Sequence, residues 1–263
     1  NNIWNALYSG VSSANRVLYQ FENSTIEMNG KENYIAELKV ARAFYYYLLL
    51  EAFGNVPIID RFDVPDGYLP ATEPRSKVFE FVESELKNNI NNLSEDVLNT
   101  YGRFNKWNAK MLLARLYLNA EAWIGTPMYN ECENLCNEII ATNKYRQDGD
   151  YSLPFSTNNE LSNETMFVIP FDETKSGGQI YMWARKTLHY SQMQTFNLQA
   201  PWLDGGCVGV PTFFDNYIEG DKRLEKTWRM GQQYALDGTP LWTNGWCGDP
   251  QMLLSYTKDV TNI

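Results

Sequence analysis

The sequence predicts a mainly α protein: a tetratricopeptide-like helical-repeat scaffold with an irregular, aromatic-rich loop region and few short strands. Three observations carry that prediction. Apolar side chains recur at helical spacing from residue 3 to about residue 142. Glycines, prolines and Asn, Ser or Thr caps stand where those periodic stretches end. From residue 172 onward the periodicity gives way to Gly, Pro, Gln, Trp and Tyr, and long irregular segments of a compact protein usually carry function. The scaffold is therefore assigned to 1–171 and the loop region, expected to pack on it, to 172–263.

The elements follow in order. Ile3, Leu7, Val11, Ala14, Leu18 and Phe21 line one face of a first helix. The second runs from Lys31 to Phe53 and is closed by Gly54-Asn55-Val56-Pro57; the glycine supplies a left-handed terminator and the proline forbids continuation. These two helices are expected to form an antiparallel hairpin. Pro57, Pro65, Pro70 and Pro74 punctuate an extended excursion. Ser76 reads as the N-cap of a third helix whose apolar face is Val78, Phe79, Val82, Leu86, Ile90 and Leu93. Asn105 reads as the cap of a fourth, over 106–123 with Gly125 as its stop, and Thr126-Pro127 starts a fifth that continues to about residue 142. The span 106–141, about 36 residues, approximates the tetratricopeptide period. Ala114 and Pro127 are compatible with that repeat, whereas its Trp-Leu-Gly-Tyr pattern is not evident. Residues 165–171 read as a strand.

Several side chains belong to this scaffold. Successive helical residues point about 100° apart, so Tyr45, Tyr46 and Tyr47 cannot build one flat platform and are expected to pack. Arg42 and Glu37 read as ion-pairing residues, and Trp107 and Trp123 as core.

Composition excludes several classes. The formal charge of −10 disfavours nucleic acid. It disfavours polyanionic glycans for the same reason, unless a local basic pocket overrides it. No stretch reaches the length of a membrane span. No signal peptide is visible and residue 1 is Asn, so the chain reads as trimmed or as a fragment. Cys132 and Cys136 share a helical face in a geometry poor for a disulfide and read as small core residues. Cys207 and Cys247 sit in glycine-rich loops, and both a disulfide and free thiols are compatible with them. Phosphate-binding glycine loops and metal-ligand clusters are absent, so neither cofactor nor metal is expected. His189, the one histidine, has no Ser or Cys partner motif.

Six ordered blocks carry a family resemblance. Trp4, Leu7, Tyr8, Val11, Ala14, Asn15 and Leu18 open the chain. Ala36-Glu37, Lys39 and Arg42-Ala43-Phe44-Tyr45-Tyr46 lead into Gly54-Asn55-Val56-Pro57. Arg75-Ser76 with Val78-Phe79, and Gly102-Arg103 through Leu118, follow. Asn163-Glu164-Thr165-Met166-Phe167 and Gly220-Asp221-Lys222-Arg223 complete the set. In this order they resemble the SusD/RagB family of nutrient-binding outer-membrane lipoproteins. Members are normally longer, begin with a lipidated cysteine and continue into further helices, so the resemblance implies an anchor and a C-terminal part outside this chain. It also implies a noncatalytic polysaccharide- or oligosaccharide-binding protein at the cell surface, delivering glycan to a SusC-like TonB-dependent transporter.

The residues of the loop region suit that chemistry. A sugar ring stacks its C–H face on flat aromatics and offers a rim of hydroxyls to planar polar groups. Candidate ligand-binding residues are Tyr181, Trp183, Arg185, Tyr190, Trp202, Asp204, Cys207, Trp242, Asn244 and Trp246, with Gln192 and Asn197 nearby. Trp228 reads as packing, and Trp4 more as scaffold than as ligand contact. Two other classes compete. A tetratricopeptide-like adaptor would bind peptide or protein instead. A glycoside hydrolase would need two opposed carboxylates; Asp172, Glu173, Asp204, Asp215, Glu219 and Asp249 are available, but no motif pairs them. Starch, fructan and host glycans are not distinguished.

Overall fold

The computed structural model describes residues 2–156, 158–171, 186–198, 207–243 and 251–257. The helical spacing is realised as α1 (Asn2–Glu22), α2 (Lys31–Phe53), α3 (Arg75–Asn89), α4 (Lys106–Leu118), α5 (Ala120–Ile124) and α6 (Tyr129–Ala141). The chain divides into two compact units, one formed by 1–148 with 160–170 and the other by 149–159 with 171–263.

In the first unit α1, α2 and α3 run antiparallel in turn, as their cross-contacts descend in register. Trp4 meets Phe53, Asn15 meets Arg42 and Phe21 meets Tyr34, which makes α1 and α2 the expected hairpin. Gly10 lets the Tyr45 ring lie on the α1 backbone, where a Cβ would overlap it. Arg42 to Glu85 and Tyr46 to Phe81 set α3 against α2 in the same sense. Tyr117 to Glu83 joins α4 to α3, and Lys110 to Glu138 joins α6 to α4. Val40, Tyr46, Leu49, Leu50, Val82, Leu86 and Leu116 are buried among these helices. Full burial of each such large apolar side chain contributes about 1.5–3 kcal/mol. Tyr46 and Tyr47 are sealed while Tyr45 is half-buried, the divergence that helical rotation requires.

One polar cluster runs through this core. The Arg42 guanidinium is 5% exposed and donates to Glu85 Oε2 at 2.7 and 2.9 Å, to Asn15 Oδ1 at 2.8 Å and to the Asp60 carbonyl at 2.6 Å. Asn15 donates in turn to the Ile59 carbonyl at 2.8 Å, and the Tyr46 hydroxyl accepts from the Ile59 N–H at 2.7 Å. Burial pushes the Glu85 carboxyl up, outweighing the attraction of Arg42, and pushes the Tyr46 phenol up to about 12. These groups tie the proline-rich excursion to α1, α2 and α3. A short antiparallel pairing of β1 (Val56–Pro57) with β2 (Thr72–Glu73) closes it.

Helix ends follow the expected chemistry with four corrections, one being that α6 starts at Tyr129 after Met128 and not at Thr126-Pro127. Gly54 stops α2 at φ 72°, its N–H donating to the Leu50 carbonyl at 3.0 Å. Asn105 caps α4 in a reciprocal box with Asn108. Ser76, however, lies inside α3: the helix starts at Arg75, whose N–H donates to Asn55 Oδ1 at 2.8 Å, so a side chain twenty residues away does the capping. The predicted helix over 106–123 breaks at Asn119 into α4 and α5. Residues 165–171 pair with no strand. Asn108 Nδ2 donates to the Met166 carbonyl at 3.3 Å, and Phe167 stacks on Phe104 at 4.4 Å, so side chains hold this segment in place of a ladder.

The second unit contains α7 (Met193–Phe196), α8 (Lys222–Thr227), β3 (Gly231–Gln232) and β4 (Ser255–Tyr256). β3 and β4 pair antiparallel, and single bridges join Tyr234 to Pro240 and Trp242 to Leu253. Leu241 and Leu254 are its buried apolar side chains among the described residues. Beside them lies an amide cluster. Gln192, fully buried, donates to Gln233 Oε1 at 3.0 Å and accepts from the Tyr256 hydroxyl at 2.6 Å. Gln192 is thus a packing residue, not a ligand-facing one. Asp221 caps α8 through the Arg223 N–H at 2.9 Å and pairs with the Arg223 guanidinium, the turn its motif predicted. No described helix is long and apolar enough to cross a membrane.

Candidate functional site

The second helical face of α1 forms a groove of about 550 Å³ lined by Trp4, Asn5, Tyr8, Ser9, Ser12, Ser13, Arg16 and Phe62. Its origin is positional. Residues 4, 8, 12 and 16 and residues 5, 9 and 13 recur at four-residue spacing and share one face, while Val11, Ala14, Asn15 and Leu18 turn inward. Phe62 arrives from the proline-rich excursion, tilted against Tyr19 at 5.7 Å.

The aromatic end is rigid. Trp4 lies tilted on Tyr8 at 4.8 Å and edge-on to Phe53 at 5.0 Å. The Tyr8 hydroxyl donates to the Pro57 carbonyl at 2.7 Å; burial, with the neighbouring Tyr46, pushes its pKa upward. Tyr8 therefore serves as a neutral wall. Asn5, Ser9, Ser12, Ser13 and Arg16 are exposed, presenting an amide, three hydroxyls and a guanidinium to solvent. The groove thus joins an apolar, electron-rich face to hydrogen-bonding groups of both senses. Among the described residues no carboxylate, histidine or cysteine lines it.

Of the residues chosen from the sequence, Tyr181, Trp183, Arg185, Trp202, Asp204, Asn244 and Trp246 lie outside the described residues. Tyr190 is half-buried with its ring 4.8 Å from that of His189. Ser191 beside it donates to the Trp242 carbonyl at 2.8 Å, bringing those two loops together. The Trp242 side chain is 56% exposed. Cys207 is an exposed free thiol whose N–H donates to the Lys186 carbonyl at 2.8 Å. It lines a cavity of about 250 Å³ with Gly209, Phe214, Trp228, Arg229 and Tyr256 among others. Trp228 packs edge-on against Phe214 at 4.8 Å and donates to the Tyr217 hydroxyl at 2.9 Å. Gly209 is needed there, since a Cβ would come within 2.7 Å of the indole.

Two further groups are engaged structurally. His189 Nδ1 accepts the Ser191 N–H at 3.2 Å as a turn cap. Cys132 packs against the helical core, its thiol pushed up by burial and by Cys136. Among the described residues no three His, Cys, Asp or Glu side chains gather as metal ligands.

The groove was the element that sequence reasoning passed over. Its signal was present: a stripe of aromatic and small polar residues on the helix face opposite the apolar one. Trp4 at the helix start reads from the sequence as scaffold, and it does pack against the core, edge-on to Phe53, while lining the groove.

The chain is similar to known proteins over part of its length. Residues 1–118 match the SusD-like family described as starch-binding and associating with the outer membrane. A SusD-like protein of Bacteroides ovatus is 32% identical over 124 residues, 46% of this chain and 22% of that protein. The starch-binding protein SusD of Bacteroides thetaiotaomicron is 27% identical over 154 residues, 56% of this chain and 27% of that protein. The matches thus span about a quarter of these curated relatives. A crystal structure of a SusD superfamily protein from Parabacteroides distasonis superposes with a TM-score of 0.73 at 23% identity, over 89% of this chain and 50% of that one.

Proposed function

We propose that the chain is part of a SusD-like protein, a noncatalytic cell-surface glycan-binding protein of the kind whose family model its residues 1–118 match. In this reading a lipid anchor outside the chain holds the protein at the outer membrane, and it hands oligosaccharide to a SusC-like TonB-dependent transporter. The observation that carries the binding step is the α1 groove: Trp4 and Phe62 offer apolar rings, and Asn5, Ser9, Ser12, Ser13 and Arg16 offer hydrogen bonds, on a helix held rigid by packing. A preformed platform of this kind avoids the ordering cost that a flexible loop would incur on binding. A lining of aromatic rings, hydroxyls, an amide and a guanidinium suits binding, whereas hydrolysis needs two carboxylates across the sugar. The loop residues Tyr181, Trp183, Arg185, Tyr190, Trp202, Asp204, Cys207, Trp242, Asn244 and Trp246 are proposed as additional glycan contacts, the exposed Trp242 indole supporting that assignment.

The test is calorimetric titration of the full chain with maltoheptaose, laminarihexaose, a fructan oligosaccharide and a proline-rich peptide as control. Binding of at least one oligosaccharide, with unchanged chain length after overnight incubation, is expected. Trp4→Ala should weaken it about tenfold, the loss of one sugar-stacking ring. Peptide binding without sugar binding would hand the groove to the adaptor class. Wild-type affinity in both Trp4→Ala and Trp242→Ala would remove both assignments.

A further inference from the structure

The net charge of −10 conceals a local excess of cations in the second unit. Lys222, Arg223, Lys226 and Arg229 lie within eight residues that hold a single carboxylate, Glu225. Arg223 is engaged by Asp221 at 2.6 to 3.1 Å. Arg229 stacks over the Phe196 ring at 4.8 Å. Lys226, in the last turn of α8, lines a cavity of about 360 Å³ with Tyr151, Ser152, Phe155, Ser156 and Thr227.

That cavity is built, not incidental. Its aromatic side is Tyr151 and Phe155, ring centroids 5.6 Å apart and planes at 51°. Phe155 is 75% exposed yet held in place by a tight turn, its N–H donating to the Ser152 carbonyl at 3.0 Å and the Ser156 N–H to the Leu153 carbonyl at 3.1 Å. Pro154 lies within that turn. Asp150 Oδ1 accepts the Ser152 N–H at 2.9 Å; this bond first, and the charges of Lys226 and Lys222 further, hold its carboxyl below the usual range. Lys226 therefore faces one carboxylate already bound to its own turn, which leaves ammonium donors for a ligand. Thr227 also lines two adjoining depressions, so a chain of several sugars can continue beyond this point.

We propose that this cavity is a carbohydrate subsite selective for an anionic sugar residue. The ring's C–H face lies on Phe155 and Tyr151, its carboxylate or sulfate beside the Lys226 ammonium, and its hydroxyls against Ser152, Ser156 and Thr227. The local charge supplies the basic pocket by which a chain of net negative charge can accept an acidic glycan. The inference rests on the sugar-binding reading above but uses other residues than the α1 groove, so the two can fail separately.

The experiment compares trigalacturonate with its fully methyl-esterified form, identical rings with the charge removed, and with a sulfated carrageenan tetrasaccharide, on the full chain by calorimetry. Tighter binding of trigalacturonate than of the ester, by about tenfold at low salt, is expected, with the advantage shrinking as sodium chloride rises and screens the ion pair. Lys226→Gln should bring trigalacturonate to the level of the ester, and Phe155→Ala should weaken both; both positions are exposed, and circular dichroism checks that the variants fold. Preference for the sulfated ligand instead also supports the subsite and assigns its anion to sulfate. Equal affinity for charged and esterified ligands, or an unaffected Lys226→Gln, overturns the proposal. If neutral oligosaccharides still bind through Trp4 in that case, the general glycan-binding reading survives; if no sugar of either kind binds, both fall.

Discussion

The two units of this chain solve the same problem with different materials. In the first, long helices present apolar stripes that close on one another, and a single ionic cluster centred on Arg42 is threaded through the middle. In the second, the described segments are short turns and two-residue strands, and a buried amide pair, Gln192 with Gln233, sits where hydrocarbon would otherwise be. The contrast teaches how each responds to damage. A hydrocarbon core loses transfer energy in proportion to what is removed. An amide core penalises the orphaned partner, because a buried donor or acceptor left without its mate keeps the full cost of leaving water.

The sharpest way to break this comparison is Arg42→Met. Removing the guanidinium leaves Glu85, Asn15 and the Asp60 carbonyl without their shared donor, and breaking such a buried ion pair should cost about 3–5 kcal/mol by urea denaturation. Adding Glu85→Leu should restore most of that loss, since an apolar pair of similar volume no longer strands a charge. A single-variant cost near zero would mean that hydrocarbon alone holds the first unit.

Gln192→Ala comes next, at about 2 kcal/mol, and is expected to act locally. Hydrogen exchange should accelerate at the Gln233 and Leu254 amides while the α2 amides keep wild-type protection. Uniform acceleration across both units would show that they open together and undo the distinction.

The smallest effect concerns pH. The Glu85 carboxyl titrates above its ordinary value because burial dominates, so its contribution to stability is present below that value and is lost as pH rises through the raised folded pKa. Asp148 behaves oppositely. Hydrogen bonds from Asn163 and Ser162 hold its carboxyl low, so its contribution is present above the ordinary value and is lost as pH falls through the depressed one. As pH rises from about 4 to 7 the wild type should lose stability relative to Glu85→Gln, and as pH falls from about 4 to 2 it should lose stability relative to Asp148→Asn. Parallel pH profiles for all three would contradict both assignments.

How far each region could be read in advance follows from the same contrast. The apolar period of α2 and α3 and the stops at Gly54 and Gly125 are local signals, and they located helices to within a few residues. Asn105 was legible as a cap because its partners lie two and three residues on. Ser76 misled because the true cap, Asn55, is brought in by β1 and β2. Gln192 misled in the same way: its partners Gln233 and Tyr256 are 41 and 64 residues away, so a buried amide looked like a ligand-facing one. The α1 groove was half legible, since the spacing of Trp4, Tyr8, Ser12 and Arg16 shows a shared face, whereas Phe62 joins them only through the fold of the excursion.

By itself, then, the sequence determined the mainly helical character and the order of the helices, because helix formation depends on spacing and capping among residues a few positions apart. Only the tertiary structure decided that Arg42 would serve α1, α3 and the excursion at once, that two glutamines would face each other instead of solvent, and that Lys226 would stand beside Tyr151 and Phe155. Those arrangements pair residues distant along the chain, and no local preference encodes a partner whose position is set by everything packed between.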